Sequence, residues 1–336
     1  MRPPARPDMS LFTVCYRNAA DCGDWLNDER LLALVRFDQT PPTATDRRIC
    51  TVDLAELGSA ATVEVWLGAR AARAGCSEGI YHAGDGDVLF LHARLDEYAP
   101  DALQPLTAVL YRRLFAKARA LGYPHLLRLW NYFPRINQEC DGLERYQAFC
   151  AGRHQALAAE LAEFETRLPA ASAIGTRAGD LQLYGLAARE PGAQIENPRQ
   201  VSAFHYPRQY SRRSPSFSRA ILKSWGEGRE HLYISGTASI VGHASVHHEL
   251  AAQLEETLAN LEALLGEANR RAARPLALAL LKIYVRSELD PAPLRVRIAR
   301  TFGDNIPLLF LRADICRREL LIEIEGLATE FAARHL

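Results

Sequence analysis

One order of elements occurs twice in this chain and constrains its fold most: short apolar runs broken by Gly, Pro and Asp, then one long amphipathic helix. In the first hundred residues, runs at 31–35, 61–67 and 88–91 read as strands separated by turns. Leu106, Val109, Leu110, Leu114, Ala118 and Leu121 then recur at spacings of three and four before Gly122, which predicts an amphipathic helix with a glycine stop. A buried strand is expected at 126–130, and Asp141 is placed to cap a second helix running to 168. Beyond Pro169 the order returns in outline: strands at 181–187 and 232–234, a helix over 245–271, a strand at 276–286, a short helix at 291–301, and strands at 307–315 and 320–325. The fold class expected is α+β, two fused halves, each a mixed sheet with helices on one side. The domains expected are 1–168, an N-terminal α+β domain, and 169–336, a C-terminal one, with the linker near 167–173. No residue-level repeat accompanies the repeated order.

A chain of 336 residues that is 48% hydrophobic has enough apolar material for a substantial core, which excludes disorder and coiled coil. Forty basic and 40 acidic residues cancel, so no field draws the protein to nucleic acid or anionic lipid. No apolar run approaches the roughly 18 residues of a membrane span, and the start MRPPARPDMS lacks the apolar segment of a signal peptide. A cytoplasmic protein without a membrane partner is expected. The seven cysteines are odd in number and contain no C-x-x-C, so free, mostly buried thiols are expected.

Four stretches do not read as simple core: LLRLWNYFPRIN at 126–137, RYQAFCAGR at 145–153, ENPRQVSAFHYPRQYSRRSPSFSRA at 196–220 and ISGTASIVGH at 234–243. The third combines arginines and aromatic rings with three prolines that fix it as an ordered loop. Such a loop suits gripping an anion, because arginine's planar fork takes a carboxylate bidentately; surface arginines stacked on Pro and Tyr are the alternative. In the fourth, Gly236 either exposes backbone N–H groups to a ligand or marks a β-bulge. Arg312, Asp314 and Cys316 alternate along one apolar stretch, as do Leu321, Glu323 and Glu325 along the next. If the two pair about Arg317–Arg318, Arg312 faces Glu323. Glu323 is then either an edge residue in solvent or a proton donor with a raised pKa. His243 and His247 share a helical face, but sequence places no third ligand, so no metal site is expected. Nucleotide-binding and serine-hydrolase signatures are missing from the sequence.

Taken together and in order, these stretches resemble the chorismatase family, enzymes that split chorismate into pyruvate and a benzoate or dihydrobenzoate. LRLWNYFPRIN, RYQAFCAGR, ENPRQVSAFHYP, RSPSFSRA, SGTASIVGH and ADICRRELLIEIEG carry the likeness, from about Tyr123 onward; the first hundred residues match loosely. The resemblance implies two halves similar to the small imine-deaminase (RidA/YjgF) proteins, a site in a cleft of the C-terminal half, chorismate as the substrate, no cofactor or metal, and a monomer. It implies that Glu323 protonates the enol ether and that Cys316, seven residues earlier, marks the branch making 3-hydroxybenzoate, with 4-hydroxybenzoate as an accompanying product. A hydrolytic member giving a dihydroxycyclohexadiene carboxylate, or a non-catalytic RidA-like binding protein, are the alternatives. Two substrate carboxylates call for two cations. Arg213 matches one, Arg295 and then Arg312 stand for the other, and Arg153 is a further candidate. Tyr206 and Tyr210 are expected to wall the ring, with the backbone of Gly236, Thr237 and Ala238 approaching it.

Overall fold

The structure, a computed structural model, describes residues 12–38, 46–58, 61–97, 99, 102–140, 142–207, 213–226 and 228–330. Apolar spacing of three and four folds as helix wherever it was long enough to cover a sheet. α1 (Leu103–Ala120) buries Leu103, Leu110, Leu114 and Ala118 along one stripe, and stops where Gly122 turns left-handed at φ 83°. α2 (Arg145–Glu160), α3 (Leu250–Asn269) and α4 (Ala292–Phe302) follow. α2 is shorter than its expected span: its cap position is Glu144, Asp141 lies outside the described residues, and Leu161 is already extended.

Six strands position the site: β1 (His125–Pro134), β2 (Ala170–Thr176), β3 (Leu181–Ala188), β4 (Glu230–Ala238), β5 (Leu276–Val285) and β6 (Ile322–Glu330). One seven-stranded sheet runs Asp314–Ile315, β2, β1, β3, Val88–Leu95, Ile80–Gly84, Arg73–Ser77. The other runs Ala193–Ile195, Ala220–Ser224, β4, β6, β5, Leu308–Arg312, Ala55–Glu56. α1 and α2 cover the outer face of the first, α3 and α4 that of the second, as the two α+β layers required.

The inner faces were less legible. They pack on each other and on a third sheet of four strands, Thr13–Asn18, Thr62–Leu67, Leu31–Phe37 and Ile49–Val52, through one apolar cluster holding Trp66, Trp130, Tyr184, Tyr233 and Tyr284. The expected division at 168/169 falls inside the first sheet. β2 pairs in parallel with β1, so α2 is the crossover of a strand–helix–strand unit whose return strand begins at Ala170. Asp314–Ile315 also joins that first sheet, against Ile174 and Gly175.

That detour removes the expected hairpin. Leu308–Arg312 pairs in parallel with β5, placing Arg312 opposite Val285, whereas β6 lies on the other edge of β5 with Glu323 opposite Tyr284. A whole strand therefore separates Arg312 from Glu323. All seven cysteines are free, but Cys50 and Cys150 alone are buried.

Between the sheets lies a buried ionic cluster. Lys282 Nζ is 2.8 Å from Glu64 Oε2 and 3.3 Å from Glu325 Oε1, and Arg128 Nη2 is 2.6 Å from Glu325 Oε2. Trp130 and Tyr284 also donate to Glu325, at 2.7 and 3.1 Å, as does the Ser172 hydroxyl. Two cations and two carboxylates balance there, as buried charges must.

Candidate active site

Where β2, β4 and β6 meet the start of α2, a cavity of about 250 Å³ opens between the two halves. Gln147, Arg153, Ala171 and Ser172 come from the first sheet and its helices; Tyr206, Phe217, Arg219, Gly236, Cys316 and Glu323 come from the second sheet and its connections. The site is thus not a cleft of the C-terminal half alone, because Tyr146, Gln147 and Arg153 of α2 line it as well.

Glu323 forms the floor and is 4% exposed. Its position follows from an irregularity in β4. Pairing of β4 with β6 is regular through Ile234–Gly326 and resumes at Thr237–Ile324, leaving Ser235 and Gly236 as a bulge. Ser235 pins the bulge to the first sheet: its hydroxyl donates to Ser218 O at 2.6 Å and accepts from Ala171 N at 2.9 Å. Gly236 N–H donates to Ser172 Oγ at 3.0 Å. The bulge reading holds: Gly236 lines the cavity beside the carboxyl, but its N–H is bonded to Ser172 and is not offered to a ligand.

Burial pushes the Glu323 carboxyl up to about 8, and the nearby Glu325 charge pushes the same way against Arg128 and Arg219. For Glu325 itself burial would raise the pKa, but Arg128, Lys282 and the Ser172 and Trp130 hydrogen bonds hold it below the ordinary carboxylate value. Two carboxyls two residues apart on one strand face are thereby split into a neutral acid and a fixed anion. Burial, then Glu323, also pushes the half-buried Cys316 thiol up, so it faces the cavity as S–H.

Four arginines line the same space. Arg317 donates to His243 O and Ser245 Oγ and Arg318 to Asn137 O, while Arg153 and Arg219 are the two buried ones. Arg153, 1% exposed, packs over Phe149 at 5.0 Å and Phe217 at 5.7 Å, and its Nε and Nη2 find no partner among the described residues. Gly152 sets it there, because a Cβ at 152 would lie 2.2 Å from Gln104 O; only glycine lets α2 approach α1 so closely. Arg219, 4% exposed, donates to Val201 O at 3.0 Å and Tyr206 Oη at 2.5 Å, with Nε unpartnered among the described residues. Buried donors without acceptors are costly alone and mark where an anion fits.

Of the expected site residues, the structure brings together Glu323, Cys316, Arg153, Tyr206, Gly236 and Ala238. Thr237 is next to the cavity but turns away, its hydroxyl bonded to Ser235 O at 3.0 Å. Arg213 is exposed and outside the lining, Arg295 lies over Phe310 on α4, and Arg312 pairs with Glu288 at 2.8 Å in solvent. Tyr210 lies outside the described residues. Arg219 was missed six residues from Arg213. Its signal was its flanks: Arg213 sits among Arg, Ser and Pro, whereas Arg219 lies between Phe217 and the apolar strand Ala220–Ser224.

An α+β fold whose cavity sets a carboxyl of raised pKa beside two buried guanidiniums with unpartnered donors has the make-up of a small-molecule enzyme site suited to an anionic ligand. Comparison with known proteins gives the family. Residues 64–187 match the profile described as chorismatase FkbO/Hyg5-like, N-terminal. A 3-hydroxybenzoate synthase of Streptomyces hygroscopicus is 35% identical over 78% of this chain and 80% of its own length. A chorismatase of Streptomyces rapamycinicus is 38% identical over 78% of this chain and 81% of its own. A crystal structure of a chorismatase superposes with TM-score 0.82 at 35% identity, covering 95% of this chain and 98% of the other. The chain belongs to the chorismatase family, and the kinship reaches well into the first hundred residues, further than their loose sequence likeness implied.

Proposed function

We propose that this enzyme converts chorismate to pyruvate and 3-hydroxybenzoate, with Glu323 as the general acid. The observation that carries the reading is the buried Glu323 carboxyl, its pKa raised by burial, sharing one cavity with Arg153 and Arg219. Chorismate's enolpyruvyl ether does not leave until its methylene carbon is protonated, and a carboxyl whose pKa is pushed up to about 8, and so neutral below that pH, is a suitable donor. The guanidiniums take the two substrate carboxylates, and Tyr206 and Phe217 wall the ring.

Protonation gives an oxocarbenium and a Glu323 carboxylate. Attack of the neighbouring ring hydroxyl on the ether-bearing carbon then breaks the C–O bond, pyruvate departs as the ketone, and the hydroxyl proton returns to Glu323. The strained cyclic product has the composition of 3-hydroxybenzoate and needs only to open and aromatise, so no water is consumed. Sulfur both adds and leaves well, and the Cys316 thiol is placed to assist that opening. Capture by water instead would leave a dihydrodiol. The relative named 3-hydroxybenzoate synthase supports the first route. Incubating the pure protein with chorismate and EDTA and coupling to lactate dehydrogenase tests the reaction; no pyruvate would refute it. Prephenate without pyruvate would indicate mutase chemistry, and binding without turnover a non-catalytic relative.

A further inference from the structure

Five consecutive residues, Cys316 to Leu320, form one wall of the cavity. They are loop, not strand, and a loop wall holds its shape only if its backbone groups are satisfied from outside. One side chain behind the wall takes two of its five carbonyls and the one before them, while Gln253 Nε2 takes Glu319 O at 2.8 Å. Arg286, immediately after β5, donates from Nη2 to Ile315 O at 3.1 Å and Arg317 O at 3.0 Å, and from Nε to Leu320 O at 3.0 Å. Its Nη1 is 2.6 Å from Asp314 Oδ1 and 3.2 Å from Asn137 Oδ1. Asn137 returns a bond from Nδ2 to the Cys316 carbonyl at 3.3 Å. Arg286 does not line the cavity; it lies behind the wall and acts through it.

We propose that Arg286 is a positioning residue that fixes the 314–320 turn and with it the Cys316 thiol, and so governs how the reaction divides between products; this role rests on the part proposed for Cys316 in opening the cyclic product. A planar fork that reaches three carbonyls and a carboxylate at once cannot be matched by the single ammonium of lysine. Loss of the fork frees the turn while leaving Glu323, Arg153 and Arg219 on other elements untouched.

The test compares Arg286→Met, Arg286→Lys, Asn137→Ala, Cys316→Ala and the double variant Arg286→Met/Cys316→Ala in the full chain. Total pyruvate and the ratio of 3-hydroxybenzoate to all other ring products are measured. Arg286→Met should lower that ratio by about threefold or more, in the same direction as Cys316→Ala, with a smaller change in total pyruvate. Arg286→Lys should recover part of the ratio, and the double variant should equal Cys316→Ala alone. A wild-type ratio in Arg286→Met, beside an altered one in Cys316→Ala, overturns the proposal and leaves the thiol's role intact. An altered ratio in Arg286→Met beside a wild-type ratio in Cys316→Ala overturns both, since the turn would then act without the thiol. Should Arg286→Met fail to fold, Asn137→Ala takes its place with the same two outcomes, because it frees the Cys316 carbonyl and keeps the Arg286–Asp314 pair.

Discussion

A Cβ placed on Gly236 would lie 1.8 Å from Oε1 of Glu323. The bulge in β4 and the acid on β6 therefore depend on each other: the carboxyl occupies space that any other residue at 236 would fill. Gly236 is not among the positive-φ glycines, so alanine there is excluded by the carboxyl rather than by the backbone. Gly236→Ala should displace the donor by about an ångström and cut kcat/KM for pyruvate release about a hundredfold. Near-wild-type turnover would show that the carboxyl has room to move.

Glu323→Gln keeps the shape but carries no transferable proton, so kcat should fall by about two to four orders of magnitude while chorismate still binds. In the wild type, kcat/KM should hold at neutral pH and decline as pH rises through about 8, where Glu323 ionises. Stability moves in the same direction. The folded state keeps a proton that the unfolded chain releases near the ordinary glutamate value of 4.5, so the contribution is full below that pH and lost as pH rises through about 8. Thermal melts at pH 6 and pH 9 should show a larger drop for the wild type than for Glu323→Gln; equal drops would contradict a protonated Glu323.

Arg153→Ala and Arg219→Ala should each cost about 2–5 kcal/mol in kcat/KM, chiefly through KM, because a substrate carboxylate is left unpaired in a closed cavity. Arg213→Ala, Arg295→Ala and Arg312→Ala should stay within about twofold, since none of the three lines the cavity. A strong KM effect at Arg213 with none at Arg219 would return the anion grip to the loop.

What could be read in the sequence follows from what leaves a local period. α1, α3 and β5 were visible because one face is apolar at fixed spacing. Glu323 and Glu325 stood out as carboxylates flanked by Ile322 and Ile324, which face α3. The partners that decide their roles are remote in the chain. Arg128 and Ser172 reach Glu325 across the sheet interface, and Lys282 ties it to Glu64 in the third sheet. No spacing encodes such contacts. The second anion grip was misplaced for the same reason: Arg312 alternates with Cys316, but the chain crosses to the other sheet at Asp314 and breaks the assumed pairing.

The product distribution tests Cys316 directly. Its thiol lines the cavity with Glu323 and is held as S–H by burial and by the Glu323 charge, so it reacts only when a proton acceptor appears beside it. Glu323, reprotonated by the ring hydroxyl, becomes that acceptor as it hands its proton to the opening oxygen of the strained cyclic product, which would let sulfur add to the ring and leave again as the thiol, with the ring hydrogen, on aromatisation. Alanine at 316 removes the nucleophile and leaves the acid and both guanidiniums in place. Cys316→Ala should therefore keep total pyruvate release within about tenfold of wild type while the share of 3-hydroxybenzoate falls. The lost share should appear as 4-hydroxybenzoate or as the dihydrodiol, resolved by chromatography of the ring products. An unchanged ratio would reduce Cys316 to a packing residue beside Leu320 and Ile315, and dihydrodiol alone from the wild type would place the enzyme in the hydrolytic branch.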